Sequence, residues 1–243
     1  MSGNPGPGIV RKSPRKSHGV QNVNIDASTS SQGTHSEESE IEFKSNIPRP
    51  KFNVVVCGHS QLPDHVNDFG GHSVVTLKHR GATLWSLDKE LNTLWHLPAN
   101  VVVLFLGGNE VIYRKPSEIK KKFREIIGRI QDNLKAHVIV TLIEYRDYSK
   151  DKKPVRKAAA AKYNKVRKFL NQYLTESATA GKYRTVNIAT IGCNERASDG
   201  VHLTSEGKNR LVNKWQVAVN KYCEELHKKI INASDKTPCV VQE

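Results

Sequence analysis

Four residues of this 243-residue chain could together carry out acyl transfer: Ser60, Asn109, Asp199 and His202. A serine hydroxyl is a nucleophile near neutral pH only beside a base, and histidine can supply one. Asp199 lies three residues before His202, so it can turn back and hold the imidazole in one tautomer. A carboxamide such as Asn109 can stabilise an oxyanion, joined by backbone N–H groups at a Gly-flanked turn. Each residue alone has a plainer reading. Ser60 could be a turn residue after a strand, Asn109 a loop cap, and His202 an N-terminal helix residue. The chemistry therefore depends on a scaffold that brings them to one place.

That scaffold is legible in the apolar runs. Asn53–Cys57, Ser73–Leu77, Val101–Leu106, His137–Ile143 and Thr185–Ile191 are rich in β-branched residues. Continuous rather than alternating runs suit strands buried on both faces. Helical spacing fills the gaps. Leu84, Leu87, Leu91 and Leu94 fall on one stripe, as do Ile119, Phe123, Ile126, Ile127 and Ile130. Two longer stretches follow, Lys153–Tyr173 and Thr204–Ile231. Ser117 and Thr204 have the character of N-caps. The stretch 61–71 is short and weakly helical at most.

Strand–helix alternation predicts an α/β fold: a three-layer α/β/α sandwich with right-handed crossovers. Five strands favour a flavodoxin-like parallel sheet of order 2-1-3-4-5. In such a sheet the ligand crevice lies past the C-terminal ends of strands one and three, where the winding reverses. Gly58-His59-Ser60-Gln61 follows strand one, and Gly107-Gly108-Asn109-Glu110 follows strand three. The loop after strand five, Ser198 to His202, can reach the same end of the sheet.

Placed in this order, these segments resemble the SGNH hydrolase superfamily, the GDSL-type esterases. The family's Gly-Asp-Ser block stands here as Gly58-His59-Ser60. Its lone glycine before the second helix matches Gly81. Its Gly-x-Asn-Asp block stands as Gly107-Gly108-Asn109-Glu110. Its Asp-x-x-His block stands as Asp199-Gly200-Val201-His202, followed by Leu203-Thr-Ser-Glu-Gly207. The likeness spans about residues 52–230. It implies a Ser60–His202–Asp199 triad and an oxyanion hole built from the Ser60 and Gly81 N–H groups and the Asn109 amide. It also implies a small-molecule or lipid ester as substrate, with no cofactor and no metal. Two positions depart from the pattern. His59 replaces Asp before the nucleophile and reads as a supporting or surface residue. Glu110 replaces Asp after the Asn and reads as a hydrogen-bonding brace. Gly-His-Ser starts are similar to those of SGNH domains in animal retrotransposon proteins.

Composition bounds the remainder. The chain holds 38 Lys and Arg against 24 Asp and Glu, a formal net charge of +14. Residues 1–50 are polar and Gly/Pro/Ser-rich without periodicity, and read as a disordered tail. They hold six basic and five acidic residues, so an excess of +13 belongs to residues 51–243, which hold the folded domain expected over 51–232. Residues 233–243 read as a disordered end. Between Arg146 and Lys168 ten basic residues face two acidic ones, which makes a solvated helix face or a surface for RNA or DNA. Lys152, Lys153, Arg156 and Lys157 are the candidate phosphate contacts. The alternative function is therefore an SGNH-fold nucleic-acid-binding module with little or no catalysis. The longest apolar run has six residues, which excludes a membrane-spanning helix. Four scattered cysteines show no C-x-x-C spacing, which argues against a structural zinc site and a disulfide framework. The N-terminus lacks a secretory apolar segment, so an intracellular, cytoplasmic or nuclear, location is expected.

Overall fold

The computed structural model describes residues 51–63, 66, 68–148 and 153–234. The expected tail over 1–50, Lys152 and the chain beyond 234 lie outside the described residues. Five parallel strands form one sheet: β1 (Asn53–Gly58), β2 (Ser73–Lys78), β3 (Val101–Phe105), β4 (His137–Thr141) and β5 (Arg184–Val186). Their order is β2-β1-β3-β4-β5, as the alternation of runs predicts. Four helices connect or follow them: α1 (Leu84–Leu94), α2 (Pro116–Leu134), α3 (Pro154–Thr179) and α4 (Ser205–Ser234).

Successive strand residues feed opposite faces, the period-two rule of extended chain. Val55, Cys57, Val102, Leu104, Val138 and Val140 join the core under α1, α2 and α3. Val54, Val56, Val103, Phe105 and Ile139 join the other core, under α4. The central strands β1, β3 and β4 are buried on both faces, whereas the edge strand β2 is half-exposed. The helices present the predicted stripes, Leu84, Leu87, Leu91 and Leu94 on α1 and Ile119 to Ile130 on α2.

The boundaries differ from the sequence reading where side chains intervene. The apolar run of β4 continues to Ile143, but the strand ends at Thr141. Beyond it, the N–H and C=O of Ile143 are taken by the Asn171 side chain of α3. Strand β5 has three residues instead of seven. After Val186 the Asn187 side chain accepts from Ala189 N–H at 2.8 Å, and Ile191 N–H turns back to the Ile188 carbonyl. Ser117 does not cap α2. Pro116 occupies the first helical position, which its fixed φ suits, and Lys115 is the cap residue, its N–H donating to Glu118. Thr204 does cap α4, accepting from Gly207 N–H at 3.2 Å. Helix α3 extends six residues past Tyr173, and α4 runs through Ser234, beyond the expected domain end.

Candidate active site

The winding reverses between β1 and β3, so the crevice must form past Gly58 and Phe105. His59 and Ser60 leave β1 in a tight turn closed by Leu62 N–H donating to the His59 carbonyl at 3.0 Å. Ser60 is half-buried there. Past β3, Asn109 precedes a single 3-10 turn, Glu110–Ile112. Two bonds tie this loop to the segment after β2. Asn109 Nδ2 donates to the Ala82 carbonyl at 2.9 Å, and Leu84 N–H donates to Glu110 Oε1. The amide of Asn109 is thereby held next to Gly81, which sits in an exposed turn. Glu110 is the brace that the sequence suggested: it satisfies an otherwise orphaned N–H at the start of α1.

The last segment is a compact turn. Ala197 N–H donates to the His202 carbonyl, and Gly200 N–H to the Ala197 carbonyl. Asp199 Oδ1 accepts the N–H groups of Val201 and His202, each at 2.9 Å. Its Oδ2 lies 2.5 Å from His202 Nδ1. Burial alone would raise the Asp199 pKa, but the bonds from the His202 ring and the two N–H groups outweigh it and hold the carboxyl below its ordinary value. Asp199 is therefore an anion at neutral pH. An anion at Nδ1 favours the proton on that nitrogen and leaves Nε2 as the basic atom. Both side chains are about half exposed, 54% and 47%.

Ser60 and His202 are not hydrogen-bonded to each other in this structure. Both loops are tied to the segment after β4: Gln61 Nε2 donates to Glu144 Oε1 at 3.4 Å, and Asp147 N–H donates to the Gly200 carbonyl at 2.8 Å. His59 is not a surface residue. It is 3% exposed and its ring packs 4.6 Å from that of Phe105. Burial lowers its pKa, against the opposing pull of Glu144, so the ring is neutral at neutral pH. Cys57, on the same strand, is no rival nucleophile. Burial pushes its thiol up to about 12, so the thiolate is scarce.

A crevice of about 470 Å³ opens beside Gly81 and Asn109. Trp85, Tyr113, Arg114 and Arg146 also line it, with the Arg114 guanidinium 4.9 Å from the centre of the Trp85 ring. Among the described residues no group of three or more His, Cys, Asp or Glu side chains could hold a metal ion. No described helix is long and apolar enough to cross a membrane.

The basic stretch divides. Arg156 and Lys157 are exposed on the first turn of α3, and Lys153 is its exposed N-cap. Arg146, counted with them in the sequence, is instead buried, its guanidinium 4.2 Å over the Tyr163 ring. The aromatic face and the Gly108 carbonyl draw it inward. Sequence reasoning also missed Gln61, Glu144 and Arg196, all buried at this end of the sheet. The available signal was positional, since Glu144 directly follows the apolar run of β4.

The fold and these loops define an SGNH-type serine hydrolase, an enzyme class. The GDSL-like lipase/acylhydrolase family model matches residues 12–215, and the chain belongs to that family. Solved structures share the fold at low identity. A candidate acylhydrolase from Bacteroides fragilis is 23% identical with a TM-score of 0.57, over 73% of this chain and 92% of that one. Est24, a carbohydrate acetylesterase from Sinorhizobium meliloti, is 16% identical with a TM-score of 0.56, over 71% of this chain and all of that one. The acetyl xylan esterase AlAXEase is 15% identical with a TM-score of 0.54, over 69% and 100%. No curated protein matches the chain.

Proposed function

We propose that this protein is a serine esterase cleaving a carboxylic ester through Ser60, His202 and Asp199. The observation that carries the reading is the Asp199–His202 pair, 2.5 Å apart, on the loop that follows the last strand. His202 Nε2 takes the Ser60 proton as Oγ bonds to the carbonyl carbon. The carbonyl oxygen gains a negative charge, which the Ser60 and Gly81 N–H groups and the free N–H of the Asn109 amide stabilise. Collapse breaks the ester C–O bond, and the leaving alkoxide takes the proton from His202. Water then repeats the sequence on the acyl-serine, with His202 as base and acid in turn. Asp199 holds the ring and balances the imidazolium charge.

The crevice beside Gly81 and Asn109 would take one arm of the ester. Its aromatic walls and Arg114 suit a short acyl or sugar-borne ester better than a long chain. The acetylesterase activities named for two structural neighbours support testing acetyl esters first. The test is hydrolysis of nitrophenyl acetate together with fluorophosphonate labelling and peptide mapping. Wild type should hydrolyse the ester and take the label on Ser60. Ser60→Ala should lose about 10³-fold or more of the activity while keeping its fold. A Ser60→Ala variant with more than about a tenth of wild-type activity would sink the assignment.

A further inference from the structure

Among the buried polar residues, two come from one short segment that the triad does not use: Glu144, 2% exposed, and Arg146, 8% exposed. Burying such groups is costly unless they are partnered, and the partners here form a pattern. Glu144 Oε1 accepts from Gln61 Nε2 at 3.4 Å and lies 3.7 Å from His59 Nε2. These two residues flank Ser60. The same carboxyl group lies directly under Gly108, where a Cβ would come within 2.6 Å of Oε1. Gly108 adjoins Asn109. Arg146 Nη2 donates to the Gly108 carbonyl at 3.3 Å, a second hold on that loop. Next along the chain, Asp147 N–H donates to the Gly200 carbonyl at 2.8 Å. Gly200, at φ +68°, lies so close that a Cβ would come within 1.4 Å of the Asp147 carbonyl oxygen. Gly200 sits between Asp199 and His202.

The segment is itself fixed from behind. Asn171 bonds both the N–H and the carbonyl of Ile143, at 2.8 and 2.9 Å. Asn164, two turns earlier on the same face of α3, does the same for Arg146, at 3.2 and 2.8 Å. Tyr163 Oη donates to the Glu144 carbonyl at 3.3 Å. Two carboxamides thus replace a neighbouring strand, and a stretch that could wander as a loop is held as extended chain.

We propose that residues 143–147 form a clasp that sets the spacing of the Ser60 turn, the Asn109 loop and the Asp199–His202 turn, with Glu144 as its central positioning residue. The inference rests on the esterase reading above. Glu144 touches no reacting atom. It acts through Gln61, His59 and Gly108, and a displacement of about 1 Å at such a site costs on the order of 100-fold in rate.

The test uses Glu144→Ala, Glu144→Asp and Glu144→Gln in the full chain, with nitrophenyl acetate kinetics, fluorophosphonate labelling rate and thermal melting. Removing or retracting the carboxyl should lower kcat and the labelling rate about 10-fold to 100-fold, with KM changed less than about twofold. Gln keeps an acceptor of the right length for Gln61 and should restore most of that loss. A purely structural role would lower the melting temperature and leave kcat per folded molecule unchanged. Folded Glu144→Ala with wild-type kcat overturns the clasp. If that variant does not fold, Gln61→Ala decides from the other end of the bond: a several-fold loss of kcat at unchanged KM upholds the clasp, and wild-type kinetics overturn it. Wild type that hydrolyses no ester and takes no label overturns the esterase reading and the clasp with it, whereas an active wild type indifferent to Glu144 overturns the clasp alone.

Discussion

The indole Nε1–H of Trp215 donates to Thr141 Oγ1 at 2.8 Å, with both side chains completely buried. This bond crosses from α4, the helix that follows His202, to the last residue of β4, three positions before Glu144. It ties the helix that follows the Asp199–His202 turn to the strand that leads into Glu144. Thr141→Val keeps the shape and deletes the acceptor, leaving a buried indole N–H with nothing to bond. The expected cost is about 1–3 kcal/mol of stability. Urea denaturation should show a lower midpoint with an unchanged slope. A variant as stable as wild type would mean that the bond contributes nothing net.

The Asp199 carboxyl is held below its ordinary range, which shapes the pH dependence of activity. A carboxyl already ionised at neutral pH adds no second proton to the acid limb of kcat/KM, which should rise with pH through the single step of the general base. Asp199→Asn keeps the turn's hydrogen-bond acceptor but removes the charge that fixes the ring tautomer. By analogy with other triads it should lose about 10²- to 10⁴-fold in kcat. A limb with a slope of two, or an Asn variant of near wild-type rate, would contradict the assigned pairing.

The sheet was legible because β-branched runs and their spacing carry information that depends only on local chain. Val101–Phe105 could hardly be anything but a buried strand. The place of the crevice followed from topology alone, since strand order fixes where the winding reverses. What sequence could not give was the fate of charged residues near strand ends. Arg146 reads as one more member of a basic stretch, yet Tyr163 and the Gly108 carbonyl bury it. His59 reads as a supporting or surface residue, yet the Phe105 ring and Glu144 enclose it. These outcomes depend on side chains far apart in sequence. The short β5 and the early end of β4 have the same cause, as Asn187 and Asn171 capture backbone groups that apolar periodicity assigns to a ladder.

Glu110 offers a test of the brace. Burial raises its pKa, opposed chiefly by the N–H of Leu84. A carboxyl whose folded pKa lies above its unfolded value gives stability that is present at low pH and lost as pH rises through the folded pKa. Glu110→Gln keeps an acceptor for Leu84 and removes the titration. Its stability relative to wild type should therefore improve from acid to neutral pH, with esterase activity retained. Glu110→Ala removes the acceptor and should cost about 1 kcal/mol, the usual loss for a helix cap. Thermal melts of the three proteins at several pH values measure both effects. A Gln variant whose difference from wild type is constant with pH would refute the account.

His137 predicts acid sensitivity far from the site, at the N-terminal end of β4. Its ring stacks on Tyr222 with centroids 3.9 Å apart and planes 8° from parallel. Burial, aided by Arg184 and opposed by Glu225, lowers its pKa to about 4. The unfolded chain takes up this proton near the ordinary histidine value, about 6.5, while the folded chain refuses it until about 4. Stability must therefore fall as pH drops through that window, by up to about one proton's worth of slope. Buried His59 is shifted in the same direction and adds to the fall. His137→Phe preserves a ring to stack on Tyr222 and cannot titrate. It should melt near the wild-type temperature at pH 7.5 and lose part of the decline between pH 6.5 and 4.5, with the remainder left to His59 and His72, both shifted down by burial. Melting curves across that range decide the matter. If His137→Phe declines as steeply as wild type, the His137 ring is not what acid attacks.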